Sequence, residues 1–246
     1  MITGGGGTIG RATAKVFAAV GAHCVLVDSN EQALEESLVA LGSSHAAISI
    51  DITETGSAER AVKHCIEKYG GIDILISNAG SATSGSMLEL DDNSLRKAFE
   101  LNFFTHQAFA VQAAKTMCNQ GRGGQILFNI SKQSVKPGKN FGAYGLPKAT
   151  TLFLMRQLAL ELGNFGIRVN GVNADRIRSG LLTDEFISER ADARGVSEDS
   201  YMAGNLLNKE VGAEHVAGAF LALAQSDRTT GHVITVDGGN IEAALR

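Results

Sequence analysis

Thr3-Gly4-Gly5-Gly6-Gly7-Thr8-Ile9-Gly10 runs directly into Arg11-Ala12-Thr13-Ala14-Lys15-Val16-Phe17, and Cys24-Val25-Leu26-Val27-Asp28 follows. The first stretch reads as a glycine loop opening an apolar-periodic helix, and the second as a short buried strand ended by an acid. Outward from there, short apolar runs alternate with helical patterns. Ala46 to Ile50 and Ile72 to Ile76 read as strands, with helices over Glu31 to Leu41 and Ser57 to Tyr69. A long helical stretch from about Ser94 to Cys118, a strand Gln125 to Ile130, a helix from about Ala143 to Leu162 and a strand Ile167 to Val172 continue the rhythm. The helix Ala213 to Gln225 and the strand Val233 to Val236 close it. This alternation predicts an α/β fold of βαβ units, a doubly wound parallel sheet with its ligand crevice at the carboxyl ends of the strands.

Residues 176 to 210 break the rhythm, being polar and charged around Leu181, Leu182, Phe186 and Ile187, and read as a lid or substrate loop. With 246 residues and no linker, repeat or low-complexity segment, one domain over 1-246 is expected. Only Met1 and Ile2 precede Thr3, where such a fold places its central first strand. The expectation is a truncated first strand in a C-terminal fragment of a longer polypeptide.

A net charge of −4 with both signs dispersed leaves no basic stripe for a nucleic-acid backbone. No apolar run is long enough for a bilayer and no signal segment precedes the glycines, which points to a soluble cytoplasmic protein acting on small molecules, without nucleic acid or membrane as partner. Cys24, Cys65 and Cys118 are odd in number and far apart, in apolar or helical surroundings, and read as buried free thiols. The histidines lack ligand spacing, so no metal is expected.

The glycine loop lets backbone N–H groups approach a pyrophosphate at the positive end of a helix. Gly5, Gly7 and Gly10 fit G-x-G-x-x-G, although four glycines in a row fit several templates and a ligand-free turn stays open on the loop alone. Asp28 narrows the choice. It ends a strand eighteen residues after Gly10, where a carboxylate accepts hydrogen bonds from adenosine ribose hydroxyls and repels a 2′-phosphate. NAD is therefore favoured over NADP. The competing reading of Asp28 is an N-cap for the helix that follows. Asp51, ending the third strand, either bonds the adenine edge or caps the next helix.

Tyr144 and Lys148 stand four residues apart on one face of a helical stretch, with Ser131 thirteen residues before the tyrosine. A phenol is a poor base at neutral pH, and a nearby ammonium favours its phenolate. The pair alone also fits a helix start with a solvated lysine. Beside the glycine loop and Asp28 it points to alcohol/carbonyl redox chemistry. Lys132, Lys136 and Lys139, with Arg176 and Arg178, either meet an anionic substrate or, the preferred reading, are solvated loop charges. The Ser94 to Cys118 stretch and the apolar run Thr151 to Leu162 serve equally well as subunit interfaces or as core-facing helices.

Thr3-Gly4 with Ile9-Gly10, Asn78-Ala79-Gly80, Asn102, Ser131, Tyr144 with Lys148, Arg168-Val169-Asn170 and Asp237-Gly238-Gly239 occur in the order seen in short-chain dehydrogenases/reductases. The chain resembles that family from end to end. The resemblance implies a Rossmann-type fold with seven parallel strands, a nicotinamide cofactor and a homo-oligomer, usually a homotetramer. It implies Tyr144 as general acid/base, Lys148 holding the nicotinamide ribose, Ser131 bonding the reacting oxygen and Asn102 positioning a water. Gly4, Gly7, Thr8, Ile9, Gly10, Asp28, Asp51, Ile52, Asn78, Ala79 and Gly80 would surround the cofactor together with Tyr144 and Lys148.

Three departures stand out. Thr8 occupies a usual glycine position, Gly4, Gly7 and Gly10 instead matching the spacing of longer members of the family. Ala174-Asp175 replaces a usual Pro-Gly after the sixth strand, and Ser77 replaces a frequent asparagine. Asn173-Ala174-Asp175-Arg176-Ile177-Arg178-Ser179-Gly180-Leu181, and Val236-Asp237-Gly238-Gly239-Asn240 through Arg246, resemble the dehydrogenase part of bifunctional rhamnulose-phosphate aldolase/alcohol dehydrogenases. That likeness implies a preceding aldolase domain and lactaldehyde as substrate. Reduction of 3-oxoacyl thioesters, or of a sugar or polyol, is the alternative on this scaffold, and a catalytically idle NAD-binding module is the alternative of another class.

Overall fold

In a computed structural model, which describes residues 1–240, the strands are β1 (Ile2–Thr3), β2 (Val25–Asp28), β3 (Ala46–Ser49), β4 (Ile74–Ser77), β5 (Gly124–Asn129), β6 (Ile167–Ala174) and β7 (Val233–Val236). They form one parallel sheet in the order β3-β2-β1-β4-β5-β6-β7. Parallel strands covered on both faces read as continuous apolar runs, as Val25-Leu26-Val27 and Ile126-Leu127-Phe128 do, all of them buried. The pleat then divides each run between two cores. Val25, Val27, Ile126 and Phe128 join Phe109, Met117 and Met155 on one face. Leu26 and Leu127 join Phe17, Val216 and Phe220 on the other.

Helices α1 (Thr8–Ala19), α2 (Glu31–Leu41), α3 (Ser57–Tyr69), α4 (Asp92–Phe99), α5 (Thr105–Gln120), α6 (Gly142–Leu162), α7 (Asp184–Asp192), α8 (Glu198–Met202) and α9 (Ala213–Gln225) complete the chain. Short as it is, β1 holds the centre of the sheet, with Ile2 in register with Leu26 on one side and Ile76 on the other. The Met1 amino group donates to the Ile74 carbonyl at 2.8 Å. The strand order reverses between β1 and β4, and the loops leaving those two strands flank the crevice that such a reversal opens.

Two expectations change. The stretch read as one helix from Ser94 to Cys118 is α4 and α5 joined by a π turn, Glu100–Phe104, with Asn102 inside it. Residues 176 to 210 are more structured than a loop, because they carry α7 and α8. Thr183 caps the first by accepting from the Phe186 N–H, and Ser197 caps the second by accepting from the Ser200 N–H. Leu182, Ile187, Ala191, Tyr201 and Met202 form a small core of their own beneath them. Cys24 and Cys65 are buried free thiols and Cys118 is half-buried. Among the described residues no helix is long and apolar enough to cross a membrane. The part of the C-terminal resemblance beyond Asn240 lies outside the described residues.

Candidate active site

The glycine loop is shaped by backbone contacts that exclude side chains. Gly4 takes a left-handed φ of 65°, and a Cβ on Gly10 would lie 2.0 Å from the Gly4 carbonyl oxygen. The Gly7 N–H closes the turn onto the Gly4 carbonyl at 3.1 Å. Gly7 is the N-cap of α1 and Thr8 its first residue, a helical position that accepts a side chain. The first-turn N–H groups of α1 lack intrahelical partners and carry the positive end of the helix dipole.

Asp28 lies where β2 ends and grips this loop, its Oδ2 accepting from the Gly6 N–H at 3.0 Å and its Oδ1 from the Asn30 N–H at 3.1 Å. It is not the cap of α2, for Asn30 performs that role by accepting from the Ala33 N–H at 3.0 Å. Arg11 leans over the same loop, but its guanidinium is engaged by the Gly6 and Ala33 carbonyls and by Glu36. Asp51 caps neither α3 nor any other helix. It accepts from the Thr53 N–H and hydroxyl at 2.9 and 2.7 Å, bonds that hold its carboxyl below the ordinary range.

At the other end, Tyr144, Gly145, Pro147 and Lys148 bury one side of the first turns of α6. Tyr144 bonds to Ser131; burial pushes its phenol above the ordinary tyrosine value, and that bond offsets only part of the rise. Ser131 opens the turn Lys132–Ser134, accepting from the Gln133 N–H at 3.2 Å. Lys148 is 2 % exposed, and burial pushes its ammonium down to about 7. Its Nζ donates to the Asn129 carbonyl at 3.0 Å and lies 3.4 Å from His106 Nε2. The Asn102 side chain donates to the Ser81 and Ala98 carbonyls at 2.9 and 3.1 Å, while its Oδ1 faces the Ser81 N–H at 3.3 Å. These bonds clamp the chain just after Gly80, where a Cβ would meet Asn102 Oδ1 at 2.8 Å.

Asn78 links the two ends. It donates to the Thr3 carbonyl at 3.0 Å and accepts from Asn129 at 2.9 Å, while the Thr3 hydroxyl accepts from the Asn78 and Ala79 N–H groups. A groove of about 470 Å³ gathers Gly4, Gly7, Thr8, Ile9, Asp28, Asp51, Ile52, Asn78, Ala79, Gly80, Tyr144 and Lys148 along one wall of the crevice. Gly10 lies behind it, in the hinge of the turn. A dinucleotide fits this donor set: the cradle at Gly4 and Gly10 that a Cβ would fill, a carboxylate at one end and an ammonium at the other. A second cavity of about 270 Å³ meets the groove at Ile9, Asn129, Tyr144, Ser179 and Leu181, and adds Ser131.

The loop charges behave differently from the solvated reading. Asp175 accepts from Lys132 at 2.8 Å and from Asn240 at 2.5 Å, and faces Arg176 at 3.7 Å, with side chains 12 to 14% exposed in the three charged partners. Arg178 bridges Asp184 and Glu210 at 2.9 Å each. Lys136 and Lys139 are exposed, as expected. Arg168 and Asn170 are structural: Arg168 bonds the Leu223, Ala224 and Ser226 carbonyls and Asn170 the Thr229 carbonyl. Sequence reading missed His106, Asn129 and the Asp175 network. The one available signal was that Ser77 and Asp175 depart from the family pattern.

A family model described as enoyl-(acyl carrier protein) reductase matches residues 6–240. An uncharacterized oxidoreductase, YuxG, of Bacillus subtilis (strain 168) is 38% identical over 97% of the chain, which spans 37% of that protein's length. Short-chain dehydrogenase reductase 3a of Arabidopsis thaliana is 34% identical, covering 97% of this chain and 93% of its own. Among solved structures, a short-chain type dehydrogenase/reductase from Mycobacterium ulcerans superposes with a TM-score of 0.89 at 29% identity, over 100% of this chain and 89% of that one.

Proposed function

We propose that this chain, which belongs to the short-chain dehydrogenase/reductase family, interconverts an alcohol and a carbonyl with NAD, and that Tyr144 moves the proton. The observation that carries the reading is the position of Tyr144 where the two cavities meet, bonded to Ser131 and one helical turn from a buried lysine. A nicotinamide bound in the groove supplies the hydride acceptor or donor. Ser131 holds the reacting oxygen against Tyr144. In reduction the neutral phenol gives its proton to that oxygen, and in oxidation the Lys148 ammonium favours loss of the phenol proton so that Tyr144 takes the hydroxyl proton. Asn102 keeps Gly80 and Ser81 folded over the site. Asp28 beside Gly6, with Arg11 already engaged by Glu36, supports NAD over NADP.

The substrate proposed first is lactaldehyde, in a polypeptide that also carries an aldolase. Its support is the resemblance of Asn173 to Leu181 and a cavity of about 270 Å³, ample for a three-carbon aldehyde. One observation favours a second reading, an anionic substrate such as a 3-oxoacyl thioester. Lys136, Arg190 and Arg194 line the cavity without a carboxylate partner among the described residues, and its one lining carboxylate, Asp175, is already paired. Turnover measured with NAD and NADP on lactaldehyde, propane-1,2-diol, polyols and acetoacetyl thioesters separates the readings. NAD-linked turnover of lactaldehyde is expected; preference for NADP or for the thioester overturns cofactor or substrate respectively. NAD binding without turnover of any member favours an idle binding module. A cytoplasmic homotetramer completes the proposal. Leu146, Phe153 and Leu160 of α6 and Phe104 of the π turn leave apolar surface for a second copy, and light scattering tests it.

A further inference from the structure

The chain carries a net charge of −4, yet the cavity that reaches Tyr144 is lined by Lys132, Lys136, Lys139, Arg176, Arg190 and Arg194 against the single carboxylate of Asp175. That carboxylate is already shared between Lys132 at 2.8 Å and Arg176 at 3.7 Å. Lys136, Lys139 and Arg194 are exposed, where water and salt screen them. Arg190 is different. It is half-buried on α7, and its guanidinium has neither an oxygen acceptor nor an ion pair among the described residues.

Two aromatic rings hold it instead. Its Cζ lies 4.7 Å from the centre of the Phe141 ring and 5.0 Å from that of Phe186, and the two rings meet each other edge to face at 5.9 Å. The rings attract the cation but are not the oxygen acceptors that a guanidinium fork matches, so its N–H donors stay uncommitted. An apolar backing also screens the charge less than water does, which strengthens its pull on an anion. Phe141 is the N-cap of α6, and its carbonyl accepts from the Tyr144 N–H at 3.1 Å. The turn that places the phenol therefore also places the cation, before any substrate arrives.

We infer that Arg190 is a specificity-determining residue that binds an oxyanion, a carboxylate or a phosphate, on the substrate whose carbon reacts beside Tyr144. Both groups border one cavity of about 270 Å³, so the charge lies a few bonds from the reacting carbon. The substrate class is a short oxo or hydroxy compound with its own anionic group, and not a thioester whose charge sits on a distant carrier. A neutral aldehyde leaves the arginine unused. The inference rests on the reading of Tyr144 as the proton-transfer residue and deepens the anionic-substrate reading of the same site.

The test compares matched pairs reduced with NADH: acetoacetate with methyl acetoacetate for the carboxylate, and dihydroxyacetone phosphate with dihydroxyacetone for the phosphate. In wild type the anionic member of at least one pair is favoured in kcat/KM by about tenfold or more, and the pair that shows it identifies the oxyanion. Arg190→Met, which keeps a long side chain between the rings, lowers that ratio about tenfold through the KM of the anionic member. Arg190→Lys, which keeps the charge without the planar fork, recovers part of it. A wild-type ratio near one in both pairs overturns the inference, and so do equal losses on both members of a pair in Arg190→Met. Calorimetric titration of acetoacetate and of dihydroxyacetone phosphate into NAD-loaded protein, wild type and Tyr144→Phe, reads the same preference without turnover. Binding that depends on Arg190 in protein that turns over none of the four compounds overturns the Tyr144 reading and supports the anion site; turnover without that dependence does the reverse.

Discussion

The adenosine side of the crevice and the substrate side are held in shape by different forces. On the first, Gly4 and Gly10 let the backbone fold onto itself, and Asp28 fastens the loop through a single N–H at Gly6. On the second, Lys132, Asp175, Arg176 and Asn240 meet from three parts of the chain, and little in the local sequence announces the meeting. A backbone-determined site tolerates change in its side chains and fails when a Cβ is added. A network-determined site tolerates small backbone changes and fails when one charge is removed.

The largest effect expected from that contrast is at Gly10→Ala. The new Cβ must displace the Gly4 carbonyl, so NAD affinity falls by about 100-fold or more and the protein loses roughly 2–4 kcal/mol of stability, read by calorimetric titration and denaturant unfolding. Asp175→Asn comes next. It leaves Lys132 and Arg176 half-paired in a poorly solvated place, costs about 2–4 kcal/mol, and raises the substrate KM while the NAD dissociation constant stays within about twofold. An equal loss of cofactor affinity in this variant would erase the division between the two sides.

Asp28→Ser is smaller. Losing the carboxylate shifts the NAD to NADP ratio of kcat/KM toward NADP by about tenfold, since one repulsive charge is removed and no phosphate-binding cation is added. The smallest is Thr8→Gly. Thr8 is already helical, so restoring the family's glycine changes NAD affinity by less than about threefold and costs about 0.5–1 kcal/mol in helix propensity. Activity gained here but not lost at Asp175 would mean that the wrong departure had been given weight.

The same contrast explains what was legible in the chain. Helices α2, α3 and α9 follow the expected limits because Asn30, Gly56, Gly70 and Gly212 punctuate them. The sheet follows from apolar runs that need no knowledge of their neighbours. Helices α7 and α8 were hidden because their apolar faces are thin, Ile187 and Ala191 in one and Tyr201 and Met202 in the other, within a charged segment whose caps, Thr183 and Ser197, went unweighed. The π turn at Asn102 carries no periodic mark. His106 meets Ser77 and Lys148 across 29 and 42 residues, and Asp175 meets Lys132 across 43. No local pattern encodes such pairs, and only the odd residue at positions 77 and 175 pointed toward them.

The central claim is that proton transfer in this protein passes through Tyr144, and NADH formation in Tyr144→Phe beside wild type, with NAD binding measured on the same samples, tests it most directly. The expected result is a loss of turnover by about 10²–10⁴-fold with NAD affinity nearly unchanged, because the phenol oxygen alone is removed from a ring that stays packed. Turnover within a few-fold of wild type, at equal NAD occupancy, would contradict it.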